Sequence, residues 1–359
     1  MTLAQILWGG GGGQTSIIQI DSSNFSKSLL CFKVQNSNPY NISHIYMLDT
    51  NPNVQMLESN DSNTNLAINI QPIDYIIFLD SDDYWKEDLL QKCLQYSNHE
   101  IVWFDYKMFC DGVDMEEKVK KIQTWLQSYG FTKNQEISPL DWSRNASKAN
   151  GFASVWNVFI DFSFLSRINL KFLDWVIYED RLFGVLLFMQ AKSIFVLYEK
   201  LHCYRIRPNS LAGYKQNYNK DDFSPYIHNI YEAFDEDGKT TKAYHALSSW
   251  ILMGERLCKF LQDNEKDTDD NFKEILENIK KFILPEYCNG ARGFSDFTKD
   301  PLNITNHLLL AMRYVPNYFN KYERIKITRP IFYRFIIKPY YAITMIERNL
   351  RKLIKGIGK

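Results

Sequence analysis

The sequence predicts an α/β fold, with a mostly parallel sheet flanked by helices and a mostly helical carboxyl-terminal region, on three observations. Tyr75-Ile76-Ile77-Phe78-Leu79 is a short, continuously apolar run, the pattern of a strand covered on both faces. Trp85, Leu89, Cys93 and Tyr96 then recur at helical spacing before a second apolar run, Ile101-Val102-Trp103-Phe104, so strand, loop, helix and strand alternate. Beyond Gly213 the apolar residues keep helical spacing almost throughout.

Upstream, Ile45-Tyr46-Met47-Leu48 stops at Asp49 and a Thr-Asn-Pro-Asn turn, which reads as another strand. Between Asp111 and Gly151 the chain is more polar, with a helical stretch around Val119 to Leu126, and is read as an excursion over the sheet. Ile194-Phe195-Val196-Leu197-Tyr198 is the next strand. Leu247, Trp250, Ile251, Gly254, Leu257, Cys258 and Leu261 form one helical stripe; Phe272, Ile275, Leu276, Ile279 and Ile283 form a second. These patterns divide the chain into residues 1–213, whose first 73 are atypical, a helical region 214–320, and a basic tail 321–359.

The 359 residues have equal numbers of acidic and basic side chains, so no global field points to nucleic acid as a partner. The distribution is uneven. From Lys321 to Lys359 there are eleven basic residues against Glu323 and Glu347, interleaved with Phe332, Phe335, Ile336 and Ile337. Such a mixture suits a membrane interface, with aromatics inserted and bases on anionic headgroups. The six cysteines are scattered, without C-x-x-C pairs or companion histidines, which suggests a reducing, cytoplasmic setting. The first eight residues lack the basic start and long apolar run of a secretory signal, and the longest apolar stretch, Phe183 to Tyr198, is interrupted by Gln190 and Lys192. Gly9 to Gly13 lack the Lys and Ser/Thr of a P-loop.

The chemistry concentrates where the first strand ends, at Asp80-Ser81-Asp82-Asp83. Open α/β sheets bind ligands at the carboxyl ends of their strands. Asp80 and Asp82, one residue apart, can both reach one hard cation that also takes diphosphate oxygens. The alternative is that these acids only cap the following helix, although a cap uses one acid and not three. Glu179-Asp180 opens a later helical run and carries the same two readings.

The segment Ile77-Phe78-Leu79-Asp80-Ser81-Asp82-Asp83-Tyr84, then Glu179-Asp180-x-x-Phe183, then Tyr204-Arg205 through Asn209-Ser210, resembles the family 2 (GT-A fold) glycosyltransferases of bacteria. These enzymes build surface lipopolysaccharide, lipooligosaccharide or capsule glycans. The likeness spans Asp74 to Ser210 and includes Trp156 and the Phe164-Leu165 region. It implies a Rossmann-like sheet and inverting transfer of a hexose or N-acetylhexosamine from a nucleotide-diphosphate sugar, UDP-sugars foremost, to a glycan or glycolipid acceptor. It also implies Mn²⁺ or Mg²⁺ as cofactor and work at the inner face of the cytoplasmic membrane. Asp82 matches the metal-binding acid, Asp80 the acid near ribose and metal, and Asp83 a further acid of the donor site. Asp180, or alternatively Glu179, matches the general base. His202, Arg205 and Arg207 lie where a positive group would meet the diphosphate. The family's usual two opening strands are absent as motifs; Thr15 to Asp21 and Ile45 to Asp49 stand in their place, with Asp49 as the counterpart of a base or ribose contact. Two other readings are a haloacid-dehalogenase-like phosphatase, against which Tyr84 stands at that family's Thr position, and a non-catalytic membrane-associated scaffold.

Overall fold

A computed structural model describes the backbone of residues 2–8, 15–21, 28–34 and 42–49, and residues 74–80, 82–149, 151–208, 218–266, 269–291, 293, 297, 299–307, 324–325, 328–329 and 333–340. The strands are β1 (Thr2–Trp8), β2 (Thr15–Asp21), β3 (Ser28–Val34), β4 (Ile42–Asp49), β5 (Tyr75–Asp80), β6 (Tyr84–Trp85), β7 (Ile101–Cys110), β8 (Gln135–Ile137), β9 (Val158–Asp161) and β10 (Ile194–Ile206). They form one sheet in the order β4-β3-β2-β1-β5-β9-β7-β10-β6, with β8 also on β10. The parallel pairs are β1 with β5 and β7 with β10. β9 lies antiparallel between β5 and β7, so β1, β5, β7 and β10 share one direction and β9 runs against them. The parallel expectation therefore holds for the main strands but not for the ladders, which are mostly antiparallel. β9 runs straight into the next helix and needs no crossover, which a parallel insertion would require.

The helices are α1 (Leu89–Leu94), α2 (Glu116–Val119), α3 (Trp125–Ser128), α4 (Pro139–Asn145), α5 (Phe162–Ile168), α6 (Glu179–Gln190), α7 (His228–Ala233), α8 (Gly238–Asp263), α9 (Asp270–Asn278) and α10 (Leu284–Ala291). Their starts follow local chemistry. Thr124 and Gln127 form a reciprocal cap on α3, and Ser138 and Asp141 do the same on α4 with Pro139 in its first turn. The Asp161 carboxylate accepts from Phe164 N at 2.7 Å and starts α5.

Successive residues of β5 and β7 enter opposite cores. Ile76, Phe78, Ile101 and Trp103 join the larger cluster with Trp142, Phe152 and Phe188, while Ile77, Val102 and Phe104 join a smaller one with Leu89 and Cys93. Both sheet faces are thus covered, as the unbroken apolar runs require. The larger cluster continues without a break into Ile251, Leu257, Ile279 and Ile283 of the helical region, so the described helices of that region share the core of the sheet.

Several expected elements differ in extent. Tyr84–Trp85 is a strand on β10, with Lys86 N donating to Leu201 O at 2.8 Å, and the helix starts only at Leu89. The stretch 119–126 divides into the end of α2 and the start of α3. β10 extends to Ile206 through register shifts between Leu197 and His202. Five cysteines, Cys93, Cys110, Cys203, Cys258 and Cys288, are free thiols. Among the described residues no helix is long and apolar enough to cross a membrane. Of the predicted membrane-seeking tail, Phe335, Ile336 and Tyr340 are exposed, and most of the rest lies outside the described residues.

Candidate active site

Three elements bring the acidic residues to one end of the sheet. β5 delivers Asp80 at its carboxyl end, and Asp83 N donates to Asp80 O at 3.0 Å, turning the chain into β6. β10 runs beside β6 and supplies His202, Tyr204 and Arg205, with Arg207 just beyond. α6 opens with Glu179 and Asp180, immediately after Tyr178 in a left-handed conformation (φ 66°).

The acids of the loop differ sharply in their partners. Asp83 is sealed from solvent. One of its oxygens lies 2.8 Å from His202 Nε2 and the other accepts from Arg205 N at 2.7 Å. Asp82 accepts from Arg207 Nε at 2.5 Å at a half-exposed position. Asp80 has no basic partner among the described residues; burial, then the charges of Asp83, Asp180 and Asp82, push its carboxyl up to about 7. Glu179 is raised further, to about 8, by burial and then by Asp180, with Asp80 contributing. Asp180 is also raised by burial, but the neighbouring Arg181 and backbone N–H groups at the helix start oppose the rise. Burial and the same four aspartates, Asp83, Asp80, Asp180 and Asp82, push the Tyr204 phenol to about 12. Residues about a hundred positions apart in the chain thus feel one another's charge.

Behind Asp180, Arg181 pairs with Glu286 of α10 and its guanidinium stands 5.1 Å over the Trp250 ring. Glu286 is held at about 7, burial outweighing the opposing charge of Arg181. Trp156 stacks obliquely on His202 and Tyr204, with ring centroids 4.9 and 5.4 Å away.

Asp80, Asp82, Asp83, Glu179 and Asp180 therefore converge as the sequence suggests, and the capping reading falls short: no side-chain cap is made at the start of α1 or of α6. His202 is corrected. Its side chain is wholly buried and Nε2 is spent on Asp83, so it fixes the loop and cannot meet a diphosphate. Asp83, with both oxygens engaged and 1% of its side chain exposed, is likewise an anchor of the loop and not a ligand contact. Arg205 turns its guanidinium to Asp111, at 2.8 Å from Nε, and away from the loop. Arg207 remains beside the acids. Asp49 is corrected too. Its register partner is Ser28, level with the start of β5, on an edge strand four steps of about 4.8 Å away, about 19 Å in all. It lies at the opposite end of the sheet from Asp80.

Tyr204, Arg181, Glu286 and Tyr226 were not singled out as site residues from the sequence. Tyr204 had a usable signal, since alternation along an exposed-ended strand puts it two residues from His202 on the same face. Glu286 and Tyr226 sit in helical stretches without a motif and are reached only through the tertiary fold.

No cage of three or more His, Cys, Asp or Glu side chains exists among the described residues. Asp80 and Asp82 are the carboxylates at this point that could hold a hard cation, which accepts one or two carboxylates together with other oxygen ligands. The unneutralised Asp80, beside Asp82, is where that positive charge would be accommodated.

No protein-family model and no curated protein matches this chain. Among solved structures, it is similar to S. aureus TarS 1-349 in complex with UDP-GlcNAc, at 16% identity and a TM-score of 0.39, covering 68% of this chain and 57% of that one. S. aureus TarS 1-349 alone matches at 15% identity and a TM-score of 0.41, covering 70% and 59%. The complex of TarS 1-349 with UDP matches at 16% and 0.32, covering 75% and 69%. The chain thus spans less than two thirds of the first two.

Proposed function

We propose that this chain is an inverting glycosyltransferase of the GT-A kind. It moves a hexose or N-acetylhexosamine from a nucleotide diphosphate, UDP foremost, to a hydroxyl of a growing bacterial surface glycan such as lipopolysaccharide. One observation carries the reading. Asp80 at the end of β5 and Glu179–Asp180 at the start of α6 are brought within electrostatic reach, and no basic side chain among the described residues neutralises Asp80 or Glu179. A cluster of acids without basic partners at the carboxyl end of a sheet strand suits a cation and the diphosphate it accompanies.

Asp80 and Asp82 would hold Mn²⁺ or Mg²⁺. When bound, the cation offsets the charge that develops on the departing diphosphate. Arg207, half-exposed beside Asp82, supplies a guanidinium fork that suits phosphate oxygens. Asp180 acts as the base in preference to Glu179, because Arg181 favours its carboxylate while Glu179 has no such neighbour. It takes the proton of the acceptor hydroxyl as that oxygen attacks the anomeric carbon. The new glycosidic bond forms as the bond to the diphosphate oxygen breaks, which inverts the centre in a single displacement. The basic segment 321–359 holds the enzyme on the inner face of the cytoplasmic membrane. Truncation after Arg329 is expected to move it to the soluble fraction; unchanged sedimentation with membranes would remove that part of the proposal.

The test is a panel of nucleotide sugars with purified protein and Mn²⁺ or Mg²⁺, read as nucleotide released. Turnover of one donor that is lost in Asp82→Ala and Asp180→Asn, both folded, supports the proposal. Indifference to the whole panel, in turnover and in thermal stability, contradicts it.

A further inference from the structure

Just ahead of Glu179 the chain makes a turn that the transfer mechanism leaves unexplained. Trp175 and Tyr178 both have left-handed backbone conformations, φ 65° and 66°. For bulky residues that geometry is an outlier, costs on the order of 1–3 kcal/mol, and persists only where the surroundings impose it. Here they do. The Trp175 carbonyl lies 3.3 Å from His245 Nε2, and Ile177 N donates to Ser249 Oγ at 3.1 Å, so α8 holds the turn at two points. Val176, between them, is buried.

The result is a fixed tryptophan that faces solvent. Trp175 is 53% exposed, while Trp85, Trp103, Trp125, Trp142, Trp156 and Trp250 are buried or half-buried. It is not isolated. Tyr226 meets it edge to face, with ring centroids 5.1 Å apart, and the Tyr226 hydroxyl lies 3.4 Å from the same His245 nitrogen. The turn that carries Trp175 ends at Tyr178 and leads directly into Glu179 and Asp180 at the start of α6, and the Tyr226 phenol is raised to about 12 by burial and then by the charge of Glu179. A single exposed apolar side chain is ordinary. An exposed indole held by strained backbone, braced by a second ring and adjoining catalytic acids, calls for a ligand.

We infer that Trp175 and Tyr226 form a stacking platform for a pyranose ring of the acceptor, presenting its hydroxyl to Asp180. This rests on the transfer reading above. The C–H face of a sugar is apolar and slightly positive, so it packs on the negative face of an indole, and the wide rigid ring loses little conformational freedom on binding. His245 is the positioning residue of the platform, since it contacts both the Trp175 carbonyl and the Tyr226 hydroxyl.

The test follows the indole N–H resonances of the full chain in ¹H–¹⁵N spectra. Methyl β-D-glucopyranoside, methyl β-D-galactopyranoside and the methyl β-glycoside of N-acetylglucosamine are added in turn, to about 100 mM, as befits single-ring contacts. At least one sugar should shift the Trp175 resonance saturably. Trp175→Phe should weaken that binding about tenfold and Trp175→Ala should abolish sugar binding, while stabilisation by UDP with Mn²⁺ stays unchanged in both. Because Trp175 is exposed, loss of folding is not expected, and the nucleotide-dependent stabilisation verifies this in the same samples. If UDP with Mn²⁺ binds but no sugar moves Trp175, or if sugar binding survives Trp175→Ala, the platform is overturned and the transfer reading stands. A Trp175 shift together with indifference to every nucleotide keeps the sugar site and removes the transfer reading.

Discussion

Asp82 and Asp83 on one side, and Asp80 and Glu179 on the other, are the same chemical groups at the same end of one sheet, yet the protein treats them differently. It supplies Arg207 to Asp82, and His202 with a backbone N–H to Asp83. To Asp80 and Glu179 it supplies no basic side chain among the described residues; their charged neighbours are other acids, and Glu179 has only its own backbone N–H in its favour. Structural acids are paired; unpaired buried acids are costly and mark the places where an external charge is to be received. The contrast separates Asp83, which builds the loop, and Asp82, which shares its charge with Arg207 at the edge of the site, from the acids that have no basic partner among the described residues.

The largest expected effect falls on Asp180, beside Glu179 at the start of α6. Asp180→Asn should lower transfer by on the order of 10²–10⁴ with donor affinity little changed, since it removes a base and not a binding contact. Steady-state kinetics on the identified donor check this; an equal loss in KM would move Asp180 from the base to the donor site.

On the building side, His202→Ala should cost about 1–3 kcal/mol of stability, because it leaves one oxygen of the sealed Asp83 carboxylate without its partner while Arg205 N keeps the other. Denaturant melts of His202→Ala and of the double variant with Asp83→Asn should show partial recovery in the latter. Additive losses would dissolve the pair.

Asp80→Asn should do the opposite and stabilise the ligand-free protein at pH 8, by on the order of 2 kcal/mol, because it removes a crowded carboxylate whose neighbours titrate with it. The same contrast sets the pH dependence of the whole chain. The folded-state values of Asp80, Glu179 and Glu286, about 7, 8 and 7, all lie above the ordinary carboxylate range. Between about pH 5 and 8 these three groups hold protons in the folded protein that the unfolded chain has released, so their contribution to stability falls as pH rises through that window. Melting curves from pH 5 to 8 check this, and Glu179→Gln should flatten them. The smallest effect is expected at the exposed pair: Arg207→Ala should change stability by less than about 1 kcal/mol. It should nevertheless weaken nucleotide binding, which calorimetry resolves.

The legible part of the fold was the part with its own period. Tyr75–Leu79 and Ile101–Phe104 are unbroken apolar runs because both sheet faces are covered, so the acidic loop between them could be placed from the sequence. Tyr84–Trp85 could not. Two residues carry no period, and their strand character comes from pairing with His202 and Cys203 more than a hundred positions away. The long β10 hid its second half behind Glu199 and Lys200, where the ladder shifts register. The family resemblance suggested a phosphate-facing role for His202, but burial decides otherwise, and burial is a tertiary property. Asp49 misled for a related reason: a strand ending in an acid looks alike at either end of a sheet. Tyr226, Trp175 and Glu286 acquire meaning only through α8 and α10, which fold back onto the start of α6.

The most direct measurement is a calorimetric titration of Mn²⁺ into the full chain, with and without UDP, for the natural protein and Asp80→Asn. The account predicts weak cation binding alone, marked tightening by UDP, and loss of that tightening in Asp80→Asn. Equal binding by both proteins, or no coupling between cation and nucleotide, would contradict it.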